Sequence, residues 1–297
     1  MAIHLLHVPY DSAHRARRMG RGPVHLVERG ALGRLRGIDP DTRLVPVETT
    51  EAFLTEIGTA FELHRGVSAA VEAAAREGAL PLVLSGNCNS AVGTVSGVRA
   101  ADPGVPVGVV WFDGHGDCNT TETFTGDFLD AMGLSTLTGR CWQGLCSTVP
   151  GFRPVPDEHV VLVGAHGADR GALGVLAASG MAHVRAADVL AKGAAAALGP
   201  ALDALARHGV GRVYVHLDVD VLDAAWAPAN GFAPEGGLLP DQLAACVGEI
   251  TPRFALAAAA VASYDPDHDR GGRVFGAAVD FLELVASSHG ARISGSA

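Results

Sequence analysis

The residues with the most chemistry in them stand at the end of an apolar run: Trp111-Phe112-Asp113-Gly114-His115-Gly116-Asp117-Cys118-Asn119. In an extended chain alternate side chains point the same way, so Asp113, His115 and Asp117 would converge where the run ends. Open α/β sheets place their sites at the carboxyl ends of strands. Gly114 and Gly116 keep the intervening positions small. A solvated acidic loop is the plain alternative, but clustered charges directly after a buried strand need partners. A second segment, His216-Leu217-Asp218-Val219-Asp220-Val221-Leu222-Asp223, repeats the device. Asp-x-Asp alone is common, whereas two such strand ends in one chain are far more specific. Asp113, Asp117, Asp218, Asp220 and His115 supply hard oxygen and imidazole ligands, a set suited to Mn²⁺ or another first-row divalent ion. Without cations these carboxylates would repel one another strongly. A third segment, Leu84-Ser85-Gly86-Asn87-Cys88-Asn89-Ser90-Ala91-Val92-Gly93, ends a strand, turns and starts a helix. Cys88 could enter the same cleft, although a small buried core residue is the commoner fate of a free cysteine.

Such side chains need a rigid frame, and the chain has the material for one. Its 297 residues are 48% hydrophobic with only 5% aromatics, so a sizeable Ala/Val-rich core can form. Candidate strands are Ile3–Val8, Leu44–Val47, Leu80–Leu84, Val107–Phe112, His159–Val163, His183–Val184, Val213–Leu217 and Leu256–Ala262. Helical stretches are expected near Pro23–Arg36, Thr50–Glu77, Ala91–Ala100, Gly171–Ser179, Ala187–His208, Pro240–Ile250 and Gly271–Ser287. This alternation predicts a mostly parallel sheet of about eight strands with helices on both faces, and periodicity alone leaves a (β/α)₈ barrel open. No segment looks like an interdomain linker, so residues 1–297 are read as one domain. The polar stretch 119–130 and the Gly/Pro-rich stretch 228–240 are long loops of the kind that carry function.

The formal charge of -10 disfavours nucleic acid and anionic membranes as partners. The start MAIHLLHVPYDS lacks the basic flank of a signal peptide, and no apolar run approaches the roughly 20 residues of a membrane helix. Five cysteines, an odd number, favour free thiols in a reducing compartment or a metal ligand over a disulfide framework. A cytoplasmic location follows as the expectation.

Together these segments resemble the arginase/agmatinase (ureohydrolase) family. Trp111–Asn119 is similar to its Asp-Ala-His-Ala-Asp-x-Asn signature, and Leu217–Asp223 to its Phe-Asp-x-Asp-x-x-Asp signature. Pro9–Pro23, ending in Gly22-Pro23, resembles the family's opening loop. Gly164–Ala172 resembles its Gly-x-Arg-x-x-(Asp/Glu) strand end, with His166 at the arginine and Asp169 at the acid. The resemblance implies a three-layer α/β/α sandwich and two divalent metal ions. Asp113 and Asp218 would bridge them, His115 and Asp220 would complete one site, and Asp117 would ligate the other. Cys88 stands at the family's remaining ligand, a histidine in a Gly-Gly-Asp-His-Ser turn, which raises its claim to be a ligand. Mn²⁺ is the expected metal, with Zn²⁺, Fe²⁺ or Co²⁺ accommodated on the softer Cys88 side.

The same resemblance implies hydrolysis of a C–N bond in a guanidino, amidino or amide small molecule by a metal-bridging hydroxide, in a homo-oligomer. Asp117 and His166 are the catalytic candidates, with Asp127 and Asp130 as further proton carriers. Asn119 and Asp169 are expected at the substrate's polar end, although Asp169 would also suit a helix cap. Two departures concern substrate. Ser263, in Ala262-Ser263-Tyr264-Asp265-Pro266, replaces the glutamate that holds a guanidinium, and 126–130 lacks the family's active-site histidine. These losses motivate one rival, a catalytically altered homologue that binds a small molecule or partner. A second rival is a one-metal site at Asp113, His115, Asp218 and Asp220, with Cys88 as a bystander.

Overall fold

The computed structural model describes residues 2–124, 126 and 128–295, without the side chains of 292–295. Its strands are β1 Ala2–Val8, β2 Tyr10–Asp11, β3 His14–Arg15, β4 Arg43–Pro46, β5 Ala79–Ser85, β6 Val107–Asp113, β7 Val160–Gly164, β8 Ala182–Arg185, β9 Arg212–Asp218 and β10 Ala255–Ala262. β2 and β3 form a small antiparallel ribbon, and the other eight form one sheet in the order β4-β1-β5-β10-β9-β6-β7-β8. Every pairing within that sheet is parallel. The sheet is open, which decides against the barrel.

Alternation along the strands builds two cores. Ile3, Leu5, Phe112, Val215 and Leu217 face one side, where they pack with Leu26, Leu35, Leu202, Leu243 and Leu282. Those partners sit on the helices Arg21–Glu28, Ala31–Ile38, Ala194–Arg207, Pro240–Ile250 and Arg273–Gly295. Leu6, Val109, Trp111 and Tyr214 face the other side, against Val67, Val71, Val95 and Leu176. These belong to the helices Glu56–Arg76, Ala91–Ala101 and Arg170–Ala178. Because both faces are covered, β5, β6 and β7 are buried along their whole lengths. Among the described residues no helix is long and apolar enough to cross a membrane.

Three helix expectations need correction. The stretch 23–36 is broken at Gly30 and the stretch 187–208 at Gly193, whose φ values of 104° and 80° lie outside helical space. The long helix starts at Glu56 rather than Thr50, because Thr55 caps it through a 3.1 Å bond from Gly58 N.

Topology positions the site. β1 and β4 extend the sheet on one side of β5, β7 and β8 extend it beyond β6, and β10 and β9 fill the gap between. The crevice at such a reversal lies above the strands' carboxyl ends. Register sets the level there: Phe112 pairs with Leu217, Asp113 with Gly164, and Ala262 with Asp218.

Candidate metal centre

Two trios of ligand-type atoms meet at that edge. Cys88 Sγ and oxygens of Asp113 and Asp218 lie within 4.8 Å of one another, and so do ligand atoms of Asp113, His115 and Asp220. Asp113 belongs to both. The five residues come from the ends of β6 and β9 and from the turn after β5, and all but the half-buried His115 are buried.

Each carboxylate is held by a donor from its own or the neighbouring strand end. Asp113 Oδ2 accepts from Trp111 Nε1 at 2.8 Å, and Asp218 Oδ1 accepts from Asp220 N at 2.8 Å. Asp220 Oδ1 accepts from Gly114 N at 2.9 Å. A Cβ at Gly114 would sit 2.7 Å from the Asp220 carbonyl oxygen and 2.9 Å from Oδ1, so the close approach requires glycine. His115 Nδ1 lies 3.1 Å from Asp220 Oδ2. Across the site, Cys88 Sγ is 2.9 Å from Asp218 Oδ2 and 3.3 Å from Ser263 Oγ.

Asp117 stands apart from both trios. It lines the same cleft, at φ +49°, and its Oδ2 is buried with no hydrogen-bond partner. Ser263, at φ +64°, is a second site residue in the left-handed region. Such conformations cost about 1–3 kcal/mol each and cluster at functional sites.

Burial, and then repulsion from neighbouring carboxylates, pushes the Asp117 and Asp218 carboxyls well above the usual range, and Asp113 upward as well. Burial and the Asp218 charge likewise push the Cys88 thiol up. His115 differs: burial opposes its charge, but its bond to Asp220 raises it to about 9. Against its own burial, Asp220 is held below the ordinary range by His115. Carboxylates that resist ionisation together, one with an oxygen lacking any donor, fit divalent cations as their missing partners. Imidazole and thiolate complete a donor set typical of first-row metals.

A residue left out of the expected ligand and substrate shell organises the Cys88 side. Asp130 Oδ2 accepts from Cys88 N and Asn87 Nδ2, both at 2.9 Å, and Oδ1 accepts from Asn89 N at 2.7 Å. It is buried, and burial lifts its carboxyl to about 7 despite those donors. In sequence it was only a weak proton-carrier candidate, because nothing local shows that it reaches a turn more than forty residues away. Asp127 lies outside the described residues.

The cleft above the trios encloses about 590 Å³ and is lined by Asp117, Asn119, Asp169 and Ser263 among others. Asp169 does two jobs: Oδ1 caps the helix Arg170–Ala178 by accepting from Ala172 N at 2.8 Å, and Oδ2 accepts from Asn119 Nδ2 at 3.0 Å. His166 does not join the cleft lining. It is half-buried, burial lowers its pKa, and neither ring nitrogen makes a well-formed hydrogen bond, although Asp220 and the Pro234 backbone are near. Neither acid weighed as a stand-in beside Ser263 lines the cleft: Glu122 is exposed, and Asp267 pairs with Arg21, whereas Glu56 is among the cleft's described lining residues.

A family model described as the arginase family matches residues 1–286. The arginase of Bacillus caldovelox is 29% identical over 247 residues, 80% of this chain and 81% of that protein. The arginase of Emericella nidulans is 30% identical over 266 residues, 76% of each chain. The crystal structure of the Bacillus cereus arginase superposes with a TM-score of 0.85 at 25% identity, covering 98% of this chain and 99% of that one.

Proposed function

The chain belongs to the arginase family, and from that premise we propose that it is a dinuclear metal-dependent hydrolase cleaving a C–N bond in an uncharged substrate, an amide or a neutral or hydroxylated guanidine. The carrying observation is the pair of trios sharing Asp113 beneath a single cleft. In this reading residues 1–297 act as one domain. Asp113, Asp218, His115 and Asp220 would hold one ion, and Asp113, Asp218, Cys88 and Asp117 the other. Bound ions would polarise the scissile bond and bring a water's pKa toward neutrality.

The chain's own residues do the rest. Asp130 fixes the turn that presents Cys88. Asn119 and Asp169, locked together, orient the substrate's polar end. Asp117, with its unpartnered Oδ2, is proposed to steer the attacking water, and His166, outside the cleft lining but near Asp220, to carry a proton away from the site. Ser263 decides the charge of the substrate: its hydroxyl lies against Cys88 and cannot neutralise a buried guanidinium, which would be costly to leave unpaired.

We further read Mn²⁺ as the resident metal, with a softer ion tolerated at Cys88, and a cytoplasmic homo-oligomer acting on small molecules rather than nucleic acid or membranes. The net charge of -10 supports the last point. The test is metal analysis of the purified protein followed by a screen of arginine against neutral guanidines and amides. Two ions per chain and turnover of a neutral substrate are expected. Full activity without metal would overturn the hydrolase reading, and efficient urea release from arginine would overturn the substrate assignment.

A further inference from the structure

The mouth of the cleft carries aromatic rings that the metal chemistry does not need. Phe128 and Phe232 come from loops a hundred residues apart and stack with centroids 5.6 Å apart and planes inclined by 27°. Both line the cleft, as does Phe124. Phe232 is 54% exposed, an unfavourable place for a phenyl ring unless something covers it.

Each ring is tied to a different side of the site. The Phe232 backbone lies against His115. Phe232 N donates to Asn230 Oδ1 at 2.8 Å, and Asn230 Nδ2 donates to the Ser263 carbonyl at 2.9 Å. Phe128 lies two residues before Asp130, whose carboxylate grips the backbone of Cys88 and Asn89. Both loops are therefore anchored to residues beside the two trios. Of the charged groups lining the cleft, Arg18 is engaged with Asp11 at 3.0 Å and Asp169 with Asn119. A polar floor with a stacked aromatic mouth is how small-molecule sites receive a ligand that is polar at its reacting end and flat and apolar behind it.

Resting on the hydrolase reading above, we propose that the substrate bears an aromatic ring on its amide or guanidine group, and that Phe128 and Phe232 receive that ring. This narrows the substrate from an uncharged C–N compound to an aryl-substituted one. It sets the rings as the specificity-determining residues, with no part in bond breaking.

Three metal-chelating probes separate the possibilities when titrated calorimetrically into the Mn²⁺-loaded full chain: acetohydroxamate, benzohydroxamate and 6-aminohexanohydroxamate. Benzohydroxamate should bind about tenfold or more tighter than acetohydroxamate, and the cationic tail should give no comparable gain. Phe232→Ala, at an exposed position that should tolerate truncation, should bring the benzo-to-aceto ratio close to one, and Phe128→Ala should reduce it. Equal affinities in the wild type, a ratio unchanged in both variants, or preference for the cationic tail would each overturn the proposal. So would an unchanged ratio accompanied by a change in oligomeric state on Phe232→Ala, which would give the rings to a subunit contact. A protein that binds none of the three probes and retains no Mn²⁺ fails the hydrolase reading itself, and is thereby distinguished from a protein that chelates all three equally.

Discussion

The two trios share Asp113 and differ in the company they keep. On one side His115 and Asp220 compensate each other: the imidazole is driven up to about 9 and the carboxyl is held low. On the other, Cys88 and Asp218 are both pushed up, and Cys88 meets the neutral hydroxyl of Ser263 at 3.3 Å. One half thus carries a positive partner of its own, while the other depends on a cation from outside. Thiolate in place of imidazole also adds one negative charge and softens that half, moving its preference from Mn²⁺ toward Zn²⁺, Fe²⁺ or Co²⁺. A shared scaffold residue therefore does not make the halves equivalent.

The most drastic way to erase the difference is Asp113→Ala, which removes the member common to both. Both ions should be lost, together with the stability they confer, about 4 kcal/mol for each ion where free metal exceeds its Kd a thousandfold. In a chain of this size that is a fall in Tm of roughly 10 °C, read by calorimetry with and without chelator. A variant that kept two ions would break the dinuclear assignment.

Separating the halves comes next. Cys88→Ser and His115→Ala should each lose one ion and keep the other, with affinity at the damaged position down by more than about 100-fold, since even outer partners of ligands cost 10–100-fold. Cys88→His should gain Mn²⁺ affinity on its side alone. Equal Mn²⁺ binding by Cys88→His and the wild type would mean that the halves do not differ.

Asp130→Asn acts one step further out. It leaves at least one of three donors without its acceptor. It should weaken metal on the Cys88 side by about 10–100-fold and spare the His115 side. The smallest effect is expected outside both halves. Asp169→Ala should cost about 1 kcal/mol as a lost helix cap, whereas Asp169→Asn keeps the cap. The Asn variant should therefore change substrate affinity with unchanged Tm and metal content. Loss of stability in Asp169→Asn without kinetic change would reduce Asp169 to a cap.

The strand-end runs were legible in sequence because their information is local. Period-two spacing was the signal that joined Asp113 to His115 and Asp218 to Asp220, although β6 stops at Asp113 and β9 at Asp218, so that His115 reaches the site from the bend after β6 and Asp220 from the 3-10 turn Val219–Val221. The parallel sheet was legible from alternation, and its open form rather than a barrel came from resemblance. What escaped was long-range. Nothing near Asp130 in sequence announces its grip on the turn at Cys88, nor the stacking of Phe128 on Phe232. Helix boundaries slipped where a glycine takes a left-handed conformation inside an otherwise helical run, as at Gly30 and Gly193. Asp117 fell between the two: its spacing suggested a ligand, but the left-handed backbone after Gly116 leaves it facing the cleft outside both trios.

The inequality of the two halves is tested most directly by titrating the metal-stripped protein with Co²⁺ and recording its absorption spectrum beside the bound stoichiometry. Two equivalents should bind, one of them bringing a sulfur-to-cobalt charge-transfer band that vanishes in Cys88→Ser while the other ion remains. Two equivalents bound with no charge-transfer band would contradict the account, leaving Cys88 a buried thiol beside a centre made of oxygen and nitrogen alone.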